Sequence, residues 1–550
     1  MKPQALFLPA LAAAMLLASC RFEYRNREAD LIVRNARIFS LDGANTEYTA
    51  MAIKDGRILE LGAEFQILNR YRAKTTYDAG LKPIYPGFID GHCHFLGYGL
   101  NKQKVNLAGA RDWSEVLQRV RAFAASRPGK GWILGRGWDQ NLWPGQRIPS
   151  NDSLNLLFPD CPVLLQRVDG HAAIANQAAL DSAGFTAAST VAGGLLGTKD
   201  GKLTGLLVDN AVGMFQKIFD DADEATKRKA LLEAQRDCLE AGLTMVCDAG
   251  LDAGTIDLIQ RMQAAGELQI RVYAMLADDS LNFARFPQPI DEERLVVRAV
   301  KCYADGALGS RGALLLRPYS DDPSAGHGLQ LAPREHFLEV AAWCRSHGFQ
   351  MATHCIGDSA NRLLLGVYAD ALGGTNDLRW RIEHAQCVDP ADFGKFGAYN
   401  IIPSMQPTHA TSDMLWAVDR LGPERLANAY ALKRLMRENG MIALGTDFPV
   451  EGIAPLQTFY AAVVRKDREG RPPEGFQMQD ALTREQALRG MTIWNALATF
   501  TEKDLGSLEP GKKADFVVLD RELLTTAEDQ LLQARVQATF INGEQLWPLR

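Results

Sequence analysis

Four histidines, one lysine and one aspartate stand where buried-type strands run out. His92 and His94 form a His-x-His pair in Asp90-Gly91-His92-Cys93-His94. Lys301 precedes Cys302-Tyr303-Ala304-Asp305-Gly306, His354 lies in Thr353-His354-Cys355, His384 in Glu383-His384-Ala385, and Asp447 in Gly445-Thr446-Asp447. Residues two apart on a strand share a face, so His92 and His94 point one way and Cys93 the other. Two imidazoles at that spacing suit a divalent ion such as Zn²⁺, with Zn–N bonds of about 2.0–2.1 Å. Each motif alone is weak, and their joint placement at successive strand ends is the signal. Cys93, Cys302 and Cys355 adjoin these side chains and read as small packing residues that face away.

For the six side chains to meet, the strand ends must be gathered in one place. Apolar stretches at 84–90, 243–248, 270–276, 296–303, 349–354, 380–384, 401–405 and 441–445 alternate with helical patterns at 226–241, 254–266, 333–347, 359–372 and 423–439. That alternation predicts parallel α/β architecture, and eight strands predict a (β/α)8 TIM barrel with its site at the carboxyl ends of the strands. The gap between the first two strands is too long for one crossover. It predicts a subdomain inserted after the first strand, about residues 100–223, with a Trp/Gly-rich run at 131–144 and a strand-like 163–168. Both chain ends read as β-strands: 31–41 and 51–62 with an Asp55-Gly56 turn, and 514–519 and 538–547 with an Asn542-Gly543 turn. The simplest arrangement makes 20–84 and 501–550 two parts of one small β-sandwich flanking a barrel at 85–500. Two unrelated hairpins packed on the barrel are the alternative.

The chain has 550 residues, 60 Lys+Arg against 66 Asp+Glu, and 47% hydrophobic residues, which excludes a disordered or fibrous protein. A net charge of -6 with no basic run argues against a nucleic-acid partner. Nine cysteines are too sparse for a disulfide scaffold. Residues 1–19 read as a signal peptide: Lys2 precedes an apolar run at 5–18, shorter than a membrane span. The run ends in Leu17-Ala18-Ser19-Cys20, which resembles a bacterial lipoprotein signal with Cys20 as the lipidated residue. Arg21 resembles sorting to the outer membrane. The expectation is an exported protein, lipid-anchored to the cell envelope and facing the periplasm, touching the membrane through that anchor only. Its oligomeric state, a homo-oligomer included, stays open.

The set His92, His94, Lys301, His354, His384 and Asp447 resembles the amidohydrolase superfamily. The runs 86–92 (PGFIDGH), 137–139 (GWD), 168–171 (VDGH), 305–311 (DGALGSR) and 506–515 (GSLEPGKKAD) are similar to its amidohydrolase-3 branch, which includes YtcJ-like proteins and N-substituted formamide deformylases. The resemblance covers nearly the whole chain after the signal. It implies hydrolysis of a C–N amide-type bond in a small molecule, an N-acyl, N-formyl or cyclic amide, by metal-activated water. His92 and His94 would hold one metal, and His354 and His384 a second, or all four would share one. Lys301 matches a carboxylated, bridging lysine, and Asp447 a ligand that also carries the proton. The metal would be Zn²⁺, with Fe or Mn²⁺ as alternatives. Softer candidates for substrate contact are His171, Asp305, Arg311, His409 and Trp138, each with a structural alternative as core or loop residue. Two other functions stay open: hydrolysis of a lactone or phosphoester on the same centre, and a catalytically inactive ligand-binding lipoprotein, for which the complete ligand set has no use.

Overall fold

The computed structural model describes residues 27–126, 131–215 and 222–548, so the signal segment and Cys20 lie outside the described residues. Eight parallel strands form the central sheet: Phe88–Cys93, Leu243–Leu251, Arg271–Ala277, Leu295–Tyr303, Gln350–Cys355, Arg381–His384, Ile402–Met405 and Ala443–Leu444, each paired with the next. The strands are apolar on both faces because helices cover the outside and the inner faces meet one another. Cys93, Cys302 and Cys355 point into the outer apolar layer with Leu96, Val300 and Leu364. This is a nearly closed eight-stranded parallel barrel.

Among the described residues no strand ladder joins the eighth strand to the first. Side chains close that seam. Asn495 Nδ2 donates to the carbonyls of Ile89 (2.6 Å) and Leu444 (2.7 Å), while its Oδ1 accepts from Leu444 N (3.2 Å). Asp90 accepts from Thr446 N and Oγ1 at 3.0 and 2.7 Å and from His92 N at 3.1 Å. Backbone bonds then run from Asp447 N to His92 O and from His94 N to Phe448 O, both 2.8 Å. The approach requires glycines: a Cβ at Gly91 would lie 2.6 Å from Asn495 Oδ1, and one at Gly445 2.5 Å from His92 N. Two site residues, His92 and Asp447, are therefore tied to each other across a seam closed by side chains and single backbone bonds rather than by a ladder. Asn495→Ala leaves three buried backbone groups unpaired and is expected to cost about 2–4 kcal/mol, read as a fall in denaturant midpoint at unchanged slope.

The other sheets carry the ends and the insertion. A four-stranded sheet holds Arg27–Arg34, Ala50–Lys54, Arg57–Gly62 and Tyr71–Asp78. A six-stranded sheet mixes both ends of the chain: Arg37–Phe39, Glu47–Tyr48 and Pro83–Pro86 with Phe516–Leu519, Val536–Ile541 and Glu544–Trp547. Val33, Met51 and Ile53 of the first pack with Phe516, Val518 and Phe540 of the second in one core. Asp55-Gly56 and Asn542-Gly543 make the expected tight turns, with positive φ at all four residues. Two expected strands are each divided. The 31–41 stretch breaks at Asn35, whose φ of 49° lets the chain pass from one sheet to the other. The 84–90 stretch breaks at Gly87: Pro83–Pro86 joins the six-stranded sheet and only Phe88–Cys93 joins the barrel. The expected helix 423–439 is likewise two, Ala417–Leu426 and Leu432–Asn439. Between the first and second barrel strands lies a separate six-stranded sheet running from Val105–Asn106 to Lys202–Asp209.

Candidate metal centre

The strand ends converge as their spacing predicts. His92, His384 and Asp447 present ligand atoms that all lie within 4.8 Å of one another, and all three are buried. Asp447 Oδ1 faces His94 Nε2 at 3.4 Å and His92 Nε2 at 3.6 Å. His354 stacks edge-on against His384, with ring centroids 4.6 Å apart. Lys301 Nζ is buried 3.3 Å from His92 Nε2. His384 and Asp447 adopt left-handed backbone, φ 70° and 59°, at a cost of about 1–3 kcal/mol each for residues other than glycine. Local strain at two of the three converging residues marks a site that the surrounding fold holds in place.

The polar partners set which nitrogen is free. His92 Nδ1 donates to Glu383 Oε2 at 2.6 Å, and His384 Nδ1 to Gln406 Oε1 at 2.7 Å. Each Nε2 is thus left with a lone pair aimed at the centre, as a metal ligand requires. Glu383 is itself anchored by Arg381 Nε at 2.6 Å and Ser404 Oγ at 2.7 Å. Burial holds His92, His354 and His384 below the ordinary imidazole range, His92 at about 4, so they are neutral. Burial also lowers Lys301 to about 8. Burial works against the Asp447 carboxylate, but hydrogen bonds from His409 and His94 outweigh it and keep the group ionised. Its Oδ1 is enclosed, and the imidazole nitrogens of His94 and His92 that face it stand at ion-pair distance rather than in full hydrogen-bond geometry. A buried carboxylate oxygen that faces several imidazole nitrogens without a full hydrogen bond is better satisfied by a cation between them. The donor set fits a divalent metal ion.

The softer candidates divide. His171 comes from the insertion and reaches the barrel mouth, its ring 4.9 Å from His354 and 6.3 Å from Tyr303. Asp209 Oδ1 holds its Nδ1 at 2.8 Å. Asp209 has φ 51°, and a Cβ at Gly306 or Gly312 would lie 2.2 Å from its carboxylate, so the glycine loop after Lys301 is shaped around it. His409 bridges two carboxylates, Nε2 to Asp447 Oδ2 at 3.3 Å and Nδ1 to Glu451 Oε1 at 3.1 Å. Burial would lower it, but those two bonds prevail and raise it to about 10. Asp305, Arg311 and Trp138 each have partners within the protein, and Asp305 Oδ1 also lies 3.7 Å from His354 Nε2. Asp305 accepts from the backbone of Leu314, Ile356 and Gly357 at 2.8, 3.0 and 2.8 Å, which orders the loop over the fifth strand. Arg311 pairs with Asp321 at 2.9 Å. Trp138 is buried in the core of the insertion, its Nε1 donating to Leu165 O at 2.7 Å and its ring beside Trp143.

Glu383, Gln406, Asp209 and Glu451 carry weight that the sequence reading did not assign them. Glu383 and Gln406 follow or adjoin strand ends already singled out, and that adjacency was the available signal. Asp209 and Glu451 had none, because they meet their histidines only through the fold.

Comparison with known proteins bears on this centre. The chain matches the amidohydrolase family over residues 75–546. It is 33% identical to Protein LONG AFTER FAR-RED 3 of Arabidopsis thaliana, covering 94% of this chain and 92% of that one. It is 25% identical to the N-substituted formamide deformylase of Arthrobacter pascens, covering 94% and 97%. The crystal structure of an uncharacterized metal-dependent hydrolase from Pyrococcus horikoshii OT3 superposes with a TM-score of 0.74 at 27% identity, over 90% of this chain and 99% of that one. With the barrel, the converging histidines and the match over most of its length, this chain belongs to the amidohydrolase family.

Proposed function

We propose that the protein is a metal-dependent amidohydrolase that cleaves a C–N amide-type bond in a small molecule, of the N-acyl, N-formyl or cyclic class. The observation that carries this reading is the convergence of His92, His384 and Asp447, buried and with ligand atoms that all lie within 4.8 Å of one another. His92, His94, His354, His384 and Asp447, with Lys301, would hold one or two divalent ions, Zn²⁺ by donor type and Fe or Mn²⁺ by the same geometry. When bound, the metal supplies water ionised near neutral pH and a Lewis acid for the scissile carbonyl.

The chain's own residues do the rest. Asp447 accepts the proton of the attacking water at Oδ1 and delivers it to the leaving nitrogen, while His409 holds Oδ2 and keeps the carboxylate from turning away. Glu383 and Gln406 fix the rings of His92 and His384. The Lys301 amine, lowered toward neutrality, is suited to combine with CO₂, losing a proton, and the carbamate would add an anionic ligand to those that would hold the metal. A panel of N-formyl, N-acyl and cyclic amides, run beside lactones and phosphoesters, tests the bond. Turnover of amides well above the other two supports the proposal, and turnover confined to lactones or phosphoesters overturns it. The formamide deformylase relative makes N-formyl amines the first class to try.

The same proposal places the protein at the cell envelope through a lipid on Cys20. Among the described residues no helix is long and apolar enough to cross a membrane. One acyl chain binds only marginally, so stable anchoring needs several chains on that cysteine. Wild-type protein is expected in the membrane fraction and Cys20→Ala in the soluble fraction. Identical partitioning of the two would contradict lipid anchoring.

A further inference from the structure

We propose that Arg136 binds a carboxylate on the substrate, so that the amides this site takes are N-acyl amino acids or related acids. This rests on the hydrolytic reading above and adds the class of the group attached to the amide. Arg136 lies on the insertion strand Ile133–Trp138. Its Nη2 donates to Val168 O at 3.2 Å, and a Cβ at Gly170 would lie 3.1 Å from the same nitrogen. The guanidinium therefore lies against the turn that delivers His171 to within 4.9 Å of His354. It stands on the wall of the mouth that the insertion contributes.

Four fully buried arginines pair with carboxylates and a fifth, Arg465, is held by Phe476 O, Tyr430 O and Gln477 Oε1, whereas half-buried Arg136 has a single hydrogen bond. Arg167 pairs with Asp139 and Asp169, Arg271 with Asp515, Arg381 with Glu383, and Arg420 with Asp321. Among the described residues Arg136 pairs with no carboxylate. Its Nε is enclosed without a partner, and one long bond to a carbonyl serves five N–H donors. The nearby carboxylates are engaged elsewhere: Asp169 holds Arg167 at 2.5 Å and Asp447 holds His409 at 3.3 Å. Burial lowers the Arg136 pKa, and Asp447, Asp169 and Tyr303 act on it in the opposite direction. A part-buried fork with unmet donors beside a reaction centre is complementary to a planar carboxylate, which accepts two parallel N–H bonds. The competing role is purely local, a brace for the 168–170 turn.

The test uses the metal-loaded full chain and matched pairs, an N-acetyl amino acid and its methyl ester. Wild type is expected to favour the free acid by roughly 10–100-fold in kcat/KM, from one to two charge-assisted hydrogen bonds. Arg136→Met should abolish that ratio, and Arg136→Lys should restore part of it. A ratio that survives in Arg136→Met, or acid and ester falling together, means a brace and overturns the proposal. A second readout does not depend on turnover: millimolar N-acetyl amino acids should raise the wild-type Tm, with no rise in Arg136→Met and none from the esters. Absence of an acid-specific shift in wild type overturns the carboxylate site. Absence of turnover with a shift present counts against hydrolysis of these amides and leaves the carboxylate site supported.

Discussion

Asp447→Asn is expected to lower kcat/KM by about 10²–10⁴-fold while Tm moves by only a few degrees. The substitution is nearly isosteric and removes the capacity to accept a proton. It also respects the backbone. Asp447 sits at φ 59°, where asparagine is as tolerated as aspartate and alanine is not, so Asn separates chemistry from strain. The hydrogen bond that His409 Nε2 makes to Oδ2 can be kept by the amide oxygen. Metal content measured on the same preparation separates loss of proton transfer from loss of a ligand. A variant with its metal and near wild-type turnover would falsify the acid–base role of Asp447.

Lys301→Ala is expected to lower bound metal and to cost roughly 100-fold or more in kcat/KM. The side chain is buried, with Nζ 3.3 Å from His92 Nε2 and the ammonium form disfavoured by burial. A unit charge about 4 Å from another costs roughly 4 kcal/mol at an effective dielectric of 20, and a dication doubles that, so a metal at His92 pushes the lysine further toward neutrality. On the proposed reading a neutral amine there would add CO₂, lose a proton and offer an anionic ligand with two oxygens. Apoprotein reconstituted with metal should therefore need bicarbonate for metal stoichiometry and activity to rise together. Short carboxylates should partly rescue Lys301→Ala. Full activity regained in CO₂-free buffer, with one metal per chain, would show a mononuclear site with an ordinary lysine.

The barrel was legible because its strands are short apolar runs that end in chemically distinctive residues. The Asp55-Gly56 and Asn542-Gly543 turns were legible because a two-residue loop with two positive φ values admits few other residues. The divided strands at Asn35 and Gly87 were not, because strand-forming residues resume directly after Arg34-Asn35 and after Pro86-Gly87, and only the sheet to which each half pairs separates the halves. The seam closed by Asn495 was equally hidden, since its partners Ile89 and Leu444 lie 406 and 51 residues away. Convergence of His92, His384 and Asp447 followed from strand ends, whereas the direction of a loop side chain does not follow from sequence. Hence Asp305 turned to the backbone and Arg311 to Asp321, while Trp138, at the end of an insertion strand, faces that unit's own core.

The most direct test of the central claim needs no substrate. Elemental analysis of protein produced with ample Zn²⁺, Fe and Mn²⁺ should find about one to two transition-metal ions per chain in wild type. The same analysis of His384→Ala should find clearly less, at retained secondary structure. Wild type with only a trace of metal, or His384→Ala with the full wild-type complement, would contradict a metal centre built from His92, His384 and Asp447.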